Sequence, residues 1–186
     1  MPGKPVALAV LLRGVNVGGH RRFRPAVLAT QLRHLGAVNI GAAGTFVIRR
    51  PVSREQLLAT LVARLPFDTE IVILPGRDVA RLMSNHPFGD QPPPRGTVRF
   101  VSVLSKRARS APRMPMTFPS DGRWLLKILA RDGRFVFGQY RRHMKVIGYL
   151  GALDRLFGVP VTTRNWTTMT SLARVLETRG PGDQVG

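Results

Sequence analysis

Leu11-Leu12-Arg13-Gly14-Val15-Asn16-Val17-Gly18-Gly19 is the stretch from which the fold is read. It ends an apolar run, residues 6–12, and opens a glycine-rich turn that leads into His20, Arg21, Arg22 and Arg24. A run apolar at every position predicts a strand buried on both faces. Pro25 suits the first position of a helix, where its missing N–H costs nothing. Leu28, Leu32 and Leu35 fall on one face of that helix, and Gly36 ends it.

The same grammar extends outward. Residues 38–42 and 45–49 read as two strands joined tightly through Ala43-Gly44. Ser53 with Gln56 three residues on is a capping-box signature, and Leu57, Leu58, Leu61 and Leu65 continue the helix. Residues 70–74 predict a strand and 76–84 a short helix. The order β-α-β-β-α-β is that of the ferredoxin-like, split βαβ arrangement. Pro92-Pro93-Pro94 within residues 89–96 marks a stiff connector. Beyond it, residues 97–104 predict a strand, and the three prolines of residues 106–120 argue against a long helix. Asp132-Gly133 signals a hairpin between strands 123–131 and 134–140. Val146, Leu150, Leu153 and Phe157 give a helix, residues 159–163 a strand, and Trp166, Met169, Leu172 or Ala173, and Leu176 a last helix. The expectation is an α+β protein of two ferredoxin-like (α/β plait) lobes in tandem. Residues 1–90 form the first lobe, and 91–186 form the second with its C-terminal helix and a frayed tail, residues 180–186.

Charge narrows the partners. The 186 residues hold 29 Lys+Arg against 10 Asp+Glu, a net charge of +19. Residues 1–90 carry +7 of it and residues 91–186 carry +12; 25 of the basic residues are Arg and 4 are Lys. Arginine makes forked contacts to phosphate and carboxylate, so the balance favours polyanionic partners. An arginine-rich coding bias would give the same composition. With no cysteine, disulfides, thiolate catalysis and cysteine-ligated metal sites are excluded. The apolar run at 6–12 is too short to span a membrane and lacks a cleavage site after it, so a cytoplasmic location without membrane contact is expected.

Two turns are candidate anion sites. In the first, glycines permit positive φ and let backbone N–H groups converge, as anion-binding turns do. Arg13, Gly14, Asn16, Gly18, Gly19, Arg21 and Arg22 are its candidate ligands, although the spacing is neither G-x-G-x-x-G nor a P-loop. The second, Thr163-Arg164-Asn165-Trp166, opens the last helix and adds Arg164 and Asn165. Both turns also fit plain connecting roles, with Asn165 or Thr163 as a helix cap and Trp166 in the core. If the two were close, Arg13 and Arg164 would flank one anion. Phe135 and Phe137 share one face of a strand, where packing in the core is the expectation over base stacking. The four histidines, His20, His34, His86 and His143, show no metal-ligand spacing, and no Gly-x-Ser-x-Gly elbow exists. No catalytic residue, cofactor or metal is therefore assigned.

At these residues the chain resembles the bacterial family catalogued as domain of unknown function 1697. Residues 11–19 look like its opening Leu-Leu-Arg-Gly-Ile-Asn-Val-Gly-Gly, and Thr163-Arg164-Asn165-Trp166, followed by Thr168 and Leu172, resembles its closing Thr-Arg-Asn-Trp-Asn-Thr segment. The resemblance covers about residues 5–177 and implies two ferredoxin-like lobes; the family brings no established activity. Ala43-Gly44-Thr45 stands where the family usually has Ser-Gly-Asn, and Ser171 where it tends to Lys.

Three functions fit the sequence. The favoured one is a non-catalytic cytoplasmic protein binding an anionic ligand, either nucleic acid or a phosphorylated metabolite. An enzyme acting on a phosphorylated or carboxylated small molecule between the lobes is the second. The third is an interaction module whose charge is incidental. The sequence does not fix the oligomeric state.

Overall fold

In the computed structural model, residues 7–15 and 23–178 are described. They form a mixed α/β protein with two antiparallel sheets and several helices. The chain divides into two compact units. One runs to Asn85 and resumes at Thr168; the other is the intervening His86–Thr167.

The first unit begins with β1 (Leu8–Leu12), α1 (Pro25–Gln31) and a single 3-10 turn at Arg33–Leu35. Then come β2 (Ala37–Asn39), β3 (Thr45–Ile48), α2 (Arg54–Arg64), β4 (Ile71–Pro75) and α3 (Gly76–Ser84). Its sheet runs β2-β3-β1-β4, every pair antiparallel. Residues 9–12 of β1 are fully buried, because the central strand is covered on both faces. On one face Val10, Leu12, Phe46 and Ile48 pack with Leu28 and Leu32 of the α1 region and Leu57 and Leu61 of α2. The predicted capping box is present: Gln56 N–H donates to Ser53 Oγ at 3.1 Å, and Ser53 N–H to Gln56 Oε1 at 3.4 Å.

The second unit holds β5 (Thr97–Leu104), β6 (Met116–Phe118), β7 (Leu126–Asp132) and β8 (Phe135–Arg141). Helices α4 (Lys145–Gly151) and α5 (Leu153–Phe157) follow, then β9 (Val161–Asn165). Its sheet runs β6-β7-β8-β5-β9, again wholly antiparallel. Phe100, Leu126, Ile128 and Val136 of the sheet pack with Leu153 and Phe157 of α5. Phe135 and Phe137 are buried, as core residues and not as an exposed stacking surface.

Three features differ from the sequence reading. The expected single helix from Val146 to Phe157 is broken at Ala152, whose N–H turns back to Gly148 and Tyr149 carbonyls. Two glycines, Gly148 and Gly151, weaken helix continuation at this point. The last helix, α6 (Trp166–Glu177), begins in the second unit with Trp166 and Thr167 but belongs to the first unit from Thr168 onward. Arg49 Nη2 donates to the Val175 carbonyl at 3.3 Å, and α6 leans on the Cβ-less Gly76 through Leu176. Trp166, expected in the core, is half-buried and meets Phe88 edge-on, ring centroids 5.0 Å apart. The frayed tail expected at residues 180–186 lies outside the described residues.

Candidate anion-binding sites

The first predicted turn leaves the end of β1, where backbone hydrogen bonds fix three segments side by side. Leu12 N–H donates to the Gly44 carbonyl at 2.8 Å, and Arg13 N–H to the Glu70 carbonyl at 3.0 Å. Thr69 Oγ1 donates to the Arg13 carbonyl at 2.6 Å. Gly14 then takes φ +63°, a left-handed conformation that favours glycine. Ala43-Gly44-Thr45, the segment that departs from the family pattern, thus borders this turn. Thr45 is fully buried opposite Leu11. Asn16, Gly18, Gly19, Arg21 and Arg22 lie outside the described residues.

The second predicted turn is strand up to Asn165 and helix from Trp166. Arg164 pairs with Val101 and is only 6% exposed. Its Nη1 donates to the Thr163 carbonyl at 2.8 Å. Burial pushes its pKa down to about 10, because desolvation penalises the charged form; the guanidinium is still charged at neutral pH. Asn165, paired with Phe100, is exposed. Arg13 and Gly14 belong to the first unit, Arg164 and Asn165 to the second.

A denser cationic site lies within the second unit, and the sequence reading did not assemble it. A cavity of about 480 Å³ is lined by Arg107, Arg109, Arg131, Arg134 and Ser110, with no acidic residue on its wall. Its volume falls in the range of small-molecule sites, about 300–1,000 Å³. Two loops are pinned to make it. Arg109 N–H donates to the Phe157 carbonyl at 2.9 Å, and Ser110 Oγ donates to the Leu156 carbonyl. These bonds hold the loop after β5 against α5. Arg134 Nε and Nη2 donate to the Leu104 and Ser105 carbonyls at 2.8 and 2.9 Å, which fixes the β7–β8 hairpin tip beside that loop. Arg107, Arg109 and Arg131 stay exposed. Among the described residues, their side chains make no hydrogen bond or ion pair within the protein. Guanidinium groups crowded on one wall repel one another, and an entering anion relieves that repulsion while accepting forked hydrogen bonds. The sequence signals were Arg107 and Arg109 in one loop and the two arginines flanking Asp132-Gly133; their convergence depends on contacts distant in sequence.

Among the described residues, no three His, Asp or Glu side chains gather as a metal site, and no helix is long and apolar enough to cross a membrane.

Two antiparallel sheets with helices, and a cationic cavity at one hairpin tip, describe the class of molecule. The model of a family described as protein of unknown function (DUF1697) matches residues 6–117, more than half of the chain, and the chain belongs to that family. Among solved structures it is similar to the conserved bacterial protein SP0830 from Streptococcus pneumoniae. The two share 17% identity and superpose with a TM-score of 0.61, over 92% of this chain and 99% of that one. At that identity the likeness speaks for the fold alone. No curated protein matches the sequence.

Proposed function

We propose that the protein is a non-catalytic anion-binding protein built from two ferredoxin-like lobes. Its ligand carries phosphate: a nucleic acid or a phosphorylated metabolite. The fold part is supported by strand order. The first sheet runs β2-β3-β1-β4, and β7-β8-β5-β9 repeats that order in the second, with β6 added at the edge. One observation carries the functional part, the cavity lined by Arg107, Arg109, Arg131 and Arg134. Arg13 and Gly14 in one unit, and Arg164 and Asn165 in the other, are proposed as further contacts. Arg13 is the more accessible of the two arginines.

Calorimetric titration with pyrophosphate at about 50 mM salt tests the cavity. The triple variant Arg107→Ala, Arg109→Ala, Arg131→Ala should bind at least tenfold more weakly, since each lost charge-assisted contact removes about 1.5–3 kcal/mol. Arg13→Ala, measured alongside, tests the turn after β1. Pyrophosphate heats absent from the wild type, or equal in wild type and triple variant, would refute the cavity as the site.

A further inference from the structure

We infer that the ligand is a single-stranded nucleic acid spanning the length of β7, held by basic pockets at both ends of the β7–β8 hairpin. The inference rests on the anion-binding reading above for the first pocket and adds a second. That second pocket, about 440 Å³, is lined by Arg123, Arg141, Arg142, His143, Lys145 and Tyr149. It lies at the foot of the hairpin, where β7 begins and β8 ends; the four-arginine cavity lies at its tip.

The second pocket is built, not incidental. Arg141 Nε donates to the Trp124 carbonyl at 3.2 Å, and its guanidinium lies 4.4 Å over the Trp124 ring. That contact orients the cation without neutralising it. His143 Nδ1 accepts from Lys145 N–H at 3.1 Å, so the proton of the neutral ring sits on Nε2 as a further donor. Arg123, Arg142 and Lys145 are exposed, with no carboxylate on the pocket wall. Beside them Met144 is 83% exposed and Ile147 60%, apolar surface next to cationic surface.

Spacing separates a polymer from a small ligand. The seven residues of β7 span about 20 Å at the rise of an antiparallel strand. A small phosphorylated metabolite cannot reach across that distance. A stacked strand carries one charge every ~3.4 Å, so about six nucleotides cover it, and fewer when extended. Duplex recognition would need an element inserted into a groove or a broad rigid face; a hairpin with a pocket at either end suits one flexible strand.

Fluorescence anisotropy with fluorescein-labelled oligothymidylates of two, four, eight and twelve nucleotides reads this out, with pyrophosphate calorimetry in parallel. Affinity should rise at least tenfold between the dinucleotide and the octamer and then level off. Arg123→Ala, Arg142→Ala, Lys145→Ala together should abolish that rise yet leave pyrophosphate binding at the first cavity unchanged. The matching Arg→Lys variant at positions 123 and 142, which keeps the charge, should retain most of it and guards against misfolding. Affinity that does not change with length, while pyrophosphate still binds, overturns the spanning strand and spares the anion-binding reading. Absence of binding by every probe overturns both. Sedimentation with phosphatidylserine vesicles, coupled with no dependence on oligonucleotide length, would assign the basic and apolar patch to a lipid surface instead and overturn the inference.

Discussion

Gly138 lies at the centre of β8, directly opposite Phe100 of β5 and Ile128 of β7. A Cβ built there would stand 2.6 Å from Phe100 Cε1 and 2.5 Å from the Lys127 carbonyl oxygen, and closer still to Phe100 Cζ. Carbon contacts settle at about 3.5–4.0 Å, so the ring would have to retreat by about 1 Å. It has little room, because Phe100 is fully buried among Leu126, Ile128, Val136 and Leu153. The carbonyl belongs to backbone, which moves only by distorting the sheet. Overpacking costs about 1–3 kcal/mol, and losing a buried Phe altogether about 3–5 kcal/mol. Gly138→Ala should therefore destabilise the second unit by about 3 kcal/mol. Both tryptophans, Trp124 and Trp166, fall in that unit, so their emission in a urea titration reports it selectively. With slopes of about 1–3 kcal/mol per molar urea, the midpoint should drop by about 1–3 M. A midpoint within about 0.3 M of wild type, at unchanged slope, would show that β8 and Phe100 yield freely and would refute the packing argument.

Other outcomes follow from the same structure. Gly148→Ala, at an exposed helical position with open space where the Cβ would go, should raise stability by about 0.5–1 kcal/mol in the same titration. Ser53→Ala removes the acceptor of Gln56 N–H and should cost about 0.5–2 kcal/mol, with Ser53→Gly milder, as read by thermal circular dichroism. Trp166→Ala loses a half-buried ring and its edge contact with Phe88; a loss of about 2 kcal/mol is expected, short of the ~3–5 kcal/mol of a fully buried aromatic. Arg164 has a folded pKa of about 10, below its unfolded value, so its desolvation penalty is full below about pH 10 and is relieved as pH rises from there. The stability of wild type minus that of Arg164→Met should thus climb above pH 10, by at most about 3 kcal/mol, and stay flat between pH 7 and 9. A flat difference through pH 11.5 would refute it.

Much of the secondary structure was legible because it is local. β5 and α3 have the bounds that periodicity predicts, and the capping box and the Asp132-Gly133 hairpin follow from residues within a few positions. β6 was not legible. Pro115 and Pro119 flank it and read as breakers, yet a three-residue edge strand can leave its outer side unpaired. Nor did sequence show that α6 packs with the first unit, since its apolar face, Met169, Leu172 and Ala173, suits either partner. The site divides the same way. An arginine-rich segment at 106–120 is visible in the letters. That Arg109 sits beside Arg131 is decided by the Arg109–Phe157 and Arg134–Leu104 hydrogen bonds, which no local pattern encodes.

The discontinuity of the first unit bears on how the chain is made. A nascent chain emerging from the ribosome exposes β1 through α3 first, but the helix that completes this unit appears only after the whole His86–Thr167 segment. The His86–Thr167 segment has no such wait, being contiguous, and it can close as soon as β9 is out. Its two ends are clasped by the Phe88–Trp166 ring contact. Once that clasp forms, the loop joining Asn85 to Thr168 shrinks from the whole insert to a few residues, and the entropy of bringing α6 home falls with it. Vectorial synthesis and this clasp together favour an order in which the inserted segment matures first and then delivers the closing helix. The same clasp marks residues 86–167 as a cassette that can be excised, or exchanged for another, through a short linker.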